Sequence, residues 1–401
     1  MNGSSATAPR VLIAEADPWN RDLLTQLLLS VRCDAELDVC VDGEQAVASL
    51  AKTPDLIIAA RELAGVDGLD LLRQVRRSRN RSLPFILLSS RNDSASVREA
   101  LPLAPTAYLS KPLNFDALRQ RLQTLLVDPD EVVFCDVPPI MPGMSLQRFM
   151  AMRRELSDGA PLMADVQAAV KRSLQASSLN LKVLEEDIRA DPQITAVLIA
   201  AANSAARQRE AVVQTLIQAL ARLGATQSMN LILGLTLKRT AKLTDPELAE
   251  NAERYWKLSL HTAEYARTLA RSMELDQERA YCAGILHCLG DLAVLRCLQE
   301  WKLAGGELDA GQIEGMLQEY SANFGSALRT RWRLPLELRE LIAAIYQLGG
   351  GVYSREALAM NLAAQLARLA PDADLQTLAS GKTARLLKIE LPQLLKMRKS
   401  A

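Results

Sequence analysis

The side chains best suited to chemistry in the first third of the chain follow its short apolar runs. Glu15 and Asp17 come after the first run, Ser89 ends the fourth, and Lys111 follows the fifth. Functional groups of parallel sheets gather at the carboxyl ends of the strands, so we expect these side chains at one edge. The third run ends on Ala60, whose methyl group can act neither as a nucleophile nor as a metal ligand. The pattern indicates a strand-end site that lacks a carboxylate.

Three acidic residues near Ala60 are candidates to replace that carboxylate. Asp55 lies five positions upstream. At about 3.3 Å per residue, this places it roughly 16 Å from the strand end, which is too far. Glu62 and Asp67 follow in the loop, whose geometry the sequence does not determine. Both stay open as substitutes.

Apolar runs alternate with amphipathic helical stretches along the first 127 residues. This order predicts five short parallel strands with helices on both faces of the sheet. We predict strands at residues 10–14, 37–40, 56–60, 85–89 and 107–110. We predict helices at residues 19–29, 43–51, 69–77, 95–101 and 115–126.

This order of elements, together with three short motifs, resembles the receiver domain of response regulators over residues 9–127. The motifs are PDL at 54–56, GVDG at 65–68 and YLSKP at 108–112. The resemblance implies a flavodoxin-like α/β fold in which a histidine kinase phosphorylates an aspartate at the end of the third strand. It also implies two acids that hold Mg²⁺, and a hydroxyl and a lysine that contact the phosphoryl oxygens.

Only part of that set is present. The residues at the positions of the receiver pocket are Glu15, Asp17, Ala60, Ser89, Tyr108 and Lys111. By resemblance, Ser89 is the hydroxyl, Lys111 the lysine, and Tyr108 the aromatic residue that moves on activation. Ala60 stands at the phosphoacceptor position, and Ala16 replaces one of the two metal-binding acids, which leaves Mg²⁺ short of oxygen ligands.

We therefore predict a pseudo-receiver, a receiver-like domain that is not phosphorylated. Arg61 and Lys111 are expected to neutralise Glu15 and Asp17, holding the pocket in one state without phosphate.

The overall composition excludes several classes of protein. The 401 residues are 49% hydrophobic and 4% aromatic, which favours helix-rich packing and excludes a wholly disordered chain. Lys+Arg and Asp+Glu number 47 each, so no net field attracts nucleic acid or anionic lipid. We interpret the basic run at 73–81 as a helix end, where cations complement the macrodipole.

The cysteines and the N-terminal residues favour the cytoplasm. The cysteines are Cys33, Cys40, Cys135, Cys282, Cys288 and Cys297. They show no paired framework, which is typical of a reducing compartment. Residues 1–10 lack a secretory apolar core, and no apolar run approaches the roughly 20 residues of a membrane span.

We divide the chain into four segments. A disordered tail, 1–8, precedes the receiver-like domain, 9–127. A linker, 128–159, contains a Pro-rich stretch at 137–143 and a connecting helix at 145–156. The last segment, 160–398, is predicted to be an all-helical domain.

Six motifs in the helical segment resemble the HDOD domain, a bacterial relative of the HD metal-dependent phosphohydrolases. They lie at residues 186–192, 202–205, 221–224, 255–259, 283–290 and 332–335. The resemblance covers about residues 160–365. It implies a signalling output domain, generally without hydrolysis.

HD enzymes bind a metal through an early histidine, a His-Asp doublet and a later aspartate. The corresponding positions in this chain are Leu258, His261, His287, Cys288 and Asp291. Other residues would have to replace the missing metal ligands. In that case His261, His287 and Asp291 would come together, with Cys282 and Cys288 nearby, as a mixed zinc site. It requires one helix to continue past Gly290. A buried helix over 280–295 needs small residues, and free cysteine serves there as a small hydrophobic side chain. We therefore interpret His287 as a core residue and predict no metal and no other cofactor.

We predict a non-catalytic bacterial signal-transduction adaptor. Its partners are expected to be signalling proteins, neither nucleic acid nor membrane, and the receiver-like domain is expected to form homodimers. Two alternatives stay open. One is a metal-dependent HD-type phosphohydrolase, and the other is an effector that binds a nucleotide or cyclic dinucleotide without cleaving it.

Overall fold

The computed structural model describes residues 8–78, 80–91, 93–111, 113–127, 140, 143–156, 159–162, 181–204, 211–237, 243–348 and 353–400. Its contacts divide the chain into two compact units. The first unit comprises Met1–Asp136 and Thr226–Lys238, and the second comprises Val137–Ala225 and Arg239–Ala401. Residues 1–7 of the predicted tail and half of the predicted linker lie outside the described residues.

The first unit contains the predicted five-stranded parallel sheet, in the order β2-β1-β3-β4-β5. The strands are β1 (Arg10–Ala14), β2 (Glu36–Cys40), β3 (Leu56–Ala60), β4 (Phe85–Ser89) and β5 (Ala107–Ser110). The helices are α1 (Pro18–Val31), α2 (Gly43–Ser49), α3 (Gly68–Arg77), α4 (Ser94–Ala100) and α5 (Phe115–Leu126). The predicted fold class is confirmed. The predicted helix 43–51 ends early because Leu50–Lys52 forms a tighter 3₁₀ turn.

Alternate residues of the central strands point to opposite faces of the sheet, and helices cover both faces. Leu12, Ile57 and Phe85 belong to one core cluster. Val11 and Ile58 belong to the other. Every residue of β3 and β4 is buried, which explains why these strands appear in the sequence as unbroken apolar runs.

The segment Thr226–Lys238 groups with the first unit, which differs from the predicted single helical domain 160–398. Asn230 Nδ2 donates a buried hydrogen bond of 2.8 Å to the carbonyl oxygen of Leu113. Gly234 allows close approach to α1, since a Cβ there would lie 2.9 Å from Leu23 Cδ1. These partners are more than 100 residues apart, so no local pattern reveals them.

The described part of the second unit is helical, as predicted. From Leu146 to Leu237 its helices, the last shared with the first unit, are α6 (Leu146–Leu156), α7 (Leu181–Ile188), α8 (Pro192–Ser204) and α9 (Leu216–Leu237). Five more helices follow: α10 (Pro246–Ser272), α11 (Gln277–Leu286), α12 (Leu289–Leu303), α13 (Ala310–Arg331) and α14 (Leu336–Tyr346). The last four are α15 (Arg355–Arg368), α16 (Gln376–Ala379), α17 (Lys382–Leu387) and α18 (Leu391–Ser400).

Glycines set the closest helix contacts of the second unit. A Cβ at Gly284 would lie 2.4 Å from Ala263 Cα, and one at Gly290 would lie 2.1 Å from the carbonyl oxygen of Ser321. The stretch Gln277–Leu303 is long and apolar enough to cross a membrane, but 94% of its most apolar window is buried, as in the core helix of a globular unit.

One helix prediction in this unit is corrected and another is confirmed. The predicted buried helix 280–295 is broken, because α11 ends at Leu286 and α12 begins at Leu289. Gly224, predicted as a helix end, has φ of 75°, a non-helical angle that glycine adopts without strain, so the first helical stretch of α9 ends there and a second stretch follows.

The expectation that no cysteine is paired is wrong for Cys33, which is disulfide-bonded. Among the other described cysteines, Cys40, Cys282, Cys288 and Cys297 are free and buried.

Candidate functional site

The strand-end site of the first unit is built by the carboxyl ends of β1, β3, β4 and β5. Ala60 is the last residue of β3 and has no exposed surface. Glu15 follows β1, Ser89 ends β4 and Lys111 follows β5. The neighbouring order of these strands brings the predicted side chains to one edge of the sheet.

Glu15 and Lys111 form an ion pair at this edge. Lys111 Nζ lies 2.7 Å from Glu15 Oε2, and Glu15 is only 2% exposed. Arg21 closes the loop after β1, because its Nη1 donates to the carbonyl oxygens of Glu15 and Ala16 at 2.7 and 3.0 Å. Asp17 caps α1 by accepting a hydrogen bond of 2.8 Å from the Asn20 amide. The expected partner of Lys111 is therefore present.

Arg61 has a different partner from the one we predicted. Its guanidinium pairs with Glu99 and donates to the carbonyl oxygen of Ser96 at 3.1 Å, so it joins the end of β3 to α4. Burial alone would lower the pKa of Arg61, but the hydrogen bond and the charge of Glu99 outweigh it and raise that pKa. The prediction that Arg61 neutralises Glu15 or Asp17 is wrong.

The two acids that stayed open as substitutes take different positions. Asp67 caps α3, where its Oδ1 accepts from the Asp70 amide at 2.7 Å. The Glu62 side chain reaches β4, where its Oε1 accepts from Ser89 Oγ at 2.8 Å and from the Ser90 amide at 3.0 Å. This contact was missed from the sequence, where the only signal is an acid two positions after the strand end.

Tyr108 is tied to the same loop. Its hydroxyl donates a hydrogen bond of 2.7 Å to the carbonyl oxygen of Arg91, and its ring packs against the core cluster of that face.

The second candidate site lies at the break between α11 and α12. His287 is 1% exposed, and its Nδ1 lies 2.7 Å from the Gly284 carbonyl oxygen. Because a carbonyl can only accept, Nδ1 carries the proton, and Nε2 accepts from the Cys288 thiol at 3.1 Å. Burial lowers the pKa of His287 to about 4 and raises the pKa of the Cys288 thiol. Both groups are neutral at pH 7.

The other HD positions do not complete a ligand set. Leu258 and His261 lie on α10, and the His261 side chain is exposed. Asp291 lies in the first turn of α12, where burial raises its pKa to about 6. Tyr346 on α14, which the sequence did not single out as a site residue, donates a hydrogen bond of 2.7 Å to the carbonyl oxygen of His287.

These residues do not fit a divalent metal. A catalytic zinc site uses three protein ligands, and both ring nitrogens of His287 already have partners. Within the part of the chain that the structure describes, no three His, Cys, Asp or Glu side chains group as a metal site. The helix break places Asp291 beyond a turn, so it does not share one continuous helix with His287.

Comparisons with known proteins match both halves of the chain. The HDOD domain model matches residues 160–348, and the response regulator receiver domain model matches residues 11–123. The transcriptional regulatory protein TrcR of Mycobacterium tuberculosis is 32% identical over 118 residues, which are 29% of this chain and 45% of TrcR. The chain spans about half the length of the curated relatives it matches.

Two solved structures are also similar. The signal receiver domain of an HD domain-containing protein from Pseudomonas fluorescens is 29% identical, covers 30% of this chain and 95% of its own, and has a TM-score of 0.28. The MmoQ response regulator from Methylococcus capsulatus is 21% identical, covers 61% of this chain and 99% of its own, and has a TM-score of 0.45.

Proposed function

We propose that this chain, in which a response regulator receiver domain is followed by an HDOD domain, is a signalling adaptor that works without receiving a phosphoryl group. The first unit is a pseudo-receiver. The helical unit docks on partner signalling proteins and catalyses no reaction.

The observation that carries this proposal is Ala60 at the end of β3. Its methyl group is fully buried at the position where the receiver resemblance requires a nucleophilic carboxylate. The Lys111–Glu15 ion pair supports the same conclusion, because the lysine already has an internal anion as its partner.

The second unit supports a docking role over hydrolysis. A hydrolytic HD centre needs a metal-activated water. Here the buried His287 is neutral, and both of its ring nitrogens already have hydrogen-bond partners. The other histidine, His261, lies on α10 and is exposed.

Incubation of the full chain with acetyl phosphate and Mg²⁺, followed by intact mass measurement, tests the first part. We expect no phosphoryl adduct. Glu62→Ala is the matched variant, because Glu62 is the loop acid that reaches Ser89. An adduct on the wild-type protein that disappears in this variant would identify Glu62 as the phosphoacceptor and overturn the proposal.

Turnover of a phosphate ester or cyclic dinucleotide tests the second part. We expect none, with or without added divalent metal. Turnover that a chelator abolishes and that His287→Ala removes would contradict the adaptor. Sedimentation of the full chain over a concentration series separately tests the predicted homodimer.

A further inference from the structure

We infer that Glu62 is the internal ligand of an oxyanion-binding site formed by Ser89 and Ser90, and that it occupies this site in place of a tetrahedral oxyanion. The inference deepens the proposed function, on which it rests, by assigning what holds the unphosphorylated pocket in its state.

Two donors converge on one oxygen. Ser89 Oγ lies 2.8 Å from Glu62 Oε1, and the backbone amide of Ser90 lies 3.0 Å from the same atom. A hydroxyl and an adjacent backbone amide that meet at one point form a concave donor pair suited to an anion. Hydrogen bonds to an ionised acceptor are stronger than neutral ones, which favours a carboxylate or a phosphate oxygen here.

The direction of the serine proton is determined by its other neighbour. Ser89 Oγ accepts a hydrogen bond of 3.0 Å from the Arg91 amide, so its own proton is free to point at Glu62. Ser89 is fully buried as the last residue of β4, in register with Ser110 of β5. Ser89 is therefore held in place by the sheet, and the Ser90 amide follows it directly, whereas Glu62 is exposed and lies on a loop.

The contact is connected to Tyr108. The loop that carries the two donors continues to Arg91, whose carbonyl oxygen accepts from the Tyr108 hydroxyl at 2.7 Å. Glu62 thus accepts hydrogen bonds from Ser89 and Ser90 at one end of the segment, and the Tyr108 hydroxyl donates to Arg91 at its other end. Removal of the Glu62 carboxylate loosens this loop and vacates the donor pair for a free oxyanion.

Hydrogen exchange and phosphate titration of the full chain test the inference. In Glu62→Ala, the Ser90 amide is expected to exchange about tenfold faster than in the wild type, a factor that corresponds to about 1.4 kcal/mol. Inorganic phosphate is expected to slow that exchange again in the variant and to have no effect on the wild-type protein. Glu62→Gln, which keeps an acceptor without the charge, is expected to fall between the two.

Glu44→Ala is the control. Glu44 lies against Gly65, in the loop after β3 that also carries Glu62, and the substitution removes a carboxylate of equal charge. If Glu62→Ala and Glu44→Ala exchange and bind phosphate alike, the inference is overturned. Equal phosphate binding by wild type and Glu62→Ala overturns it too. The proposed function fails by a different result, a phosphoryl adduct on the wild-type chain.

Discussion

At the scale of single residues, burial gives His287 and Asp291 opposite dependences on pH. His287 has its pKa lowered to about 4, so the unfolded chain binds its proton more tightly and stability falls as pH drops from about 6.5 to 4. Asp291 has its pKa raised to about 6, so the folded chain keeps its proton and stability falls as pH rises from about 4 to 6. Each effect is roughly 3 kcal/mol, and the two largely offset each other.

Asp291→Asn removes one of these opposing effects. Because only the His287 effect remains, the free energy of unfolding of the variant should rise by roughly 2–3 kcal/mol more than that of wild type between pH 4 and pH 6. Urea unfolding followed by tryptophan fluorescence measures it. The exposed Asp372 provides the control variant Asp372→Asn. Parallel pH curves for Asp291→Asn and wild type would contradict the prediction.

The buried carboxylate of Glu15 depends on Lys111. Lys111→Met leaves Glu15 without its ion-pair partner at 2% exposure, and removal of one partner of a buried pair costs about 3–5 kcal/mol. The double variant Glu15→Gln/Lys111→Met should recover part of that loss, because no unpaired charge remains. Thermal melting of wild type, Glu15→Gln, Lys111→Met and the double variant forms a double-mutant cycle, and additive effects would show that the two groups are independent.

At the scale of elements, the helices of the second unit are separated by distances that only glycine permits. Gly284 on α11 packs against the Ala263 backbone of α10, and Gly290 packs against Ser321 and Gly325 of α13. The lack of a side chain at Gly284 therefore sets how closely α11 approaches α10. Gly315 on α13 is different, because a Cβ there would meet nothing within 4 Å.

Gly284→Ala and Gly315→Ala should change stability in opposite directions. A methyl group at 284 overlaps the backbone of α10, and overpacking of this kind costs about 1–3 kcal/mol or more. A methyl group at 315 has open space around it and reduces the conformational entropy of the unfolded chain. The free energy of unfolding should therefore rise by about 0.5–1 kcal/mol. Denaturant midpoints of the two variants measure the difference. A stabilised Gly284→Ala would show that the helix pair can separate without cost.

At the scale of the whole molecule, the first unit is completed by a segment far away in the chain. Asn230 and Gly234 lie in the segment Thr226–Lys238, inside the range that the HDOD model matches, yet they contact Leu113 and Leu23.

Asn230→Ala should destabilise the first unit by about 1–3 kcal/mol, because it leaves the buried Leu113 carbonyl oxygen without its donor. Hydrogen exchange of α5 in the full chain should rise accordingly. Gln227→Ala is the matched control, since its contact with Asn20 is longer, at 3.3 Å, and only partly buried. Equal exchange in the two variants would contradict a structural role for Asn230.

The sequence by itself determined the strands of the sheet, the alanine at the end of β3 and the residue types at the HD positions. Strands β1, β3 and β4 were predicted to the residue, because a parallel strand buried on both faces must be a continuous apolar run. Ala60 could be placed at a strand end for the same reason. The edge strand β5 was also predicted to the residue, although only Ala107 in it is buried.

Only the tertiary structure decided which side chains meet. Glu62 reaches Ser89 across 27 positions, Arg61 reaches Glu99 across 38, and Asn230 reaches Leu113 across 117. The helix break between Leu286 and Leu289 was likewise not predicted from the sequence. Short-range sterics and burial set each element, but hydrogen-bond and ion-pair partners depend on distances that the folded chain alone defines.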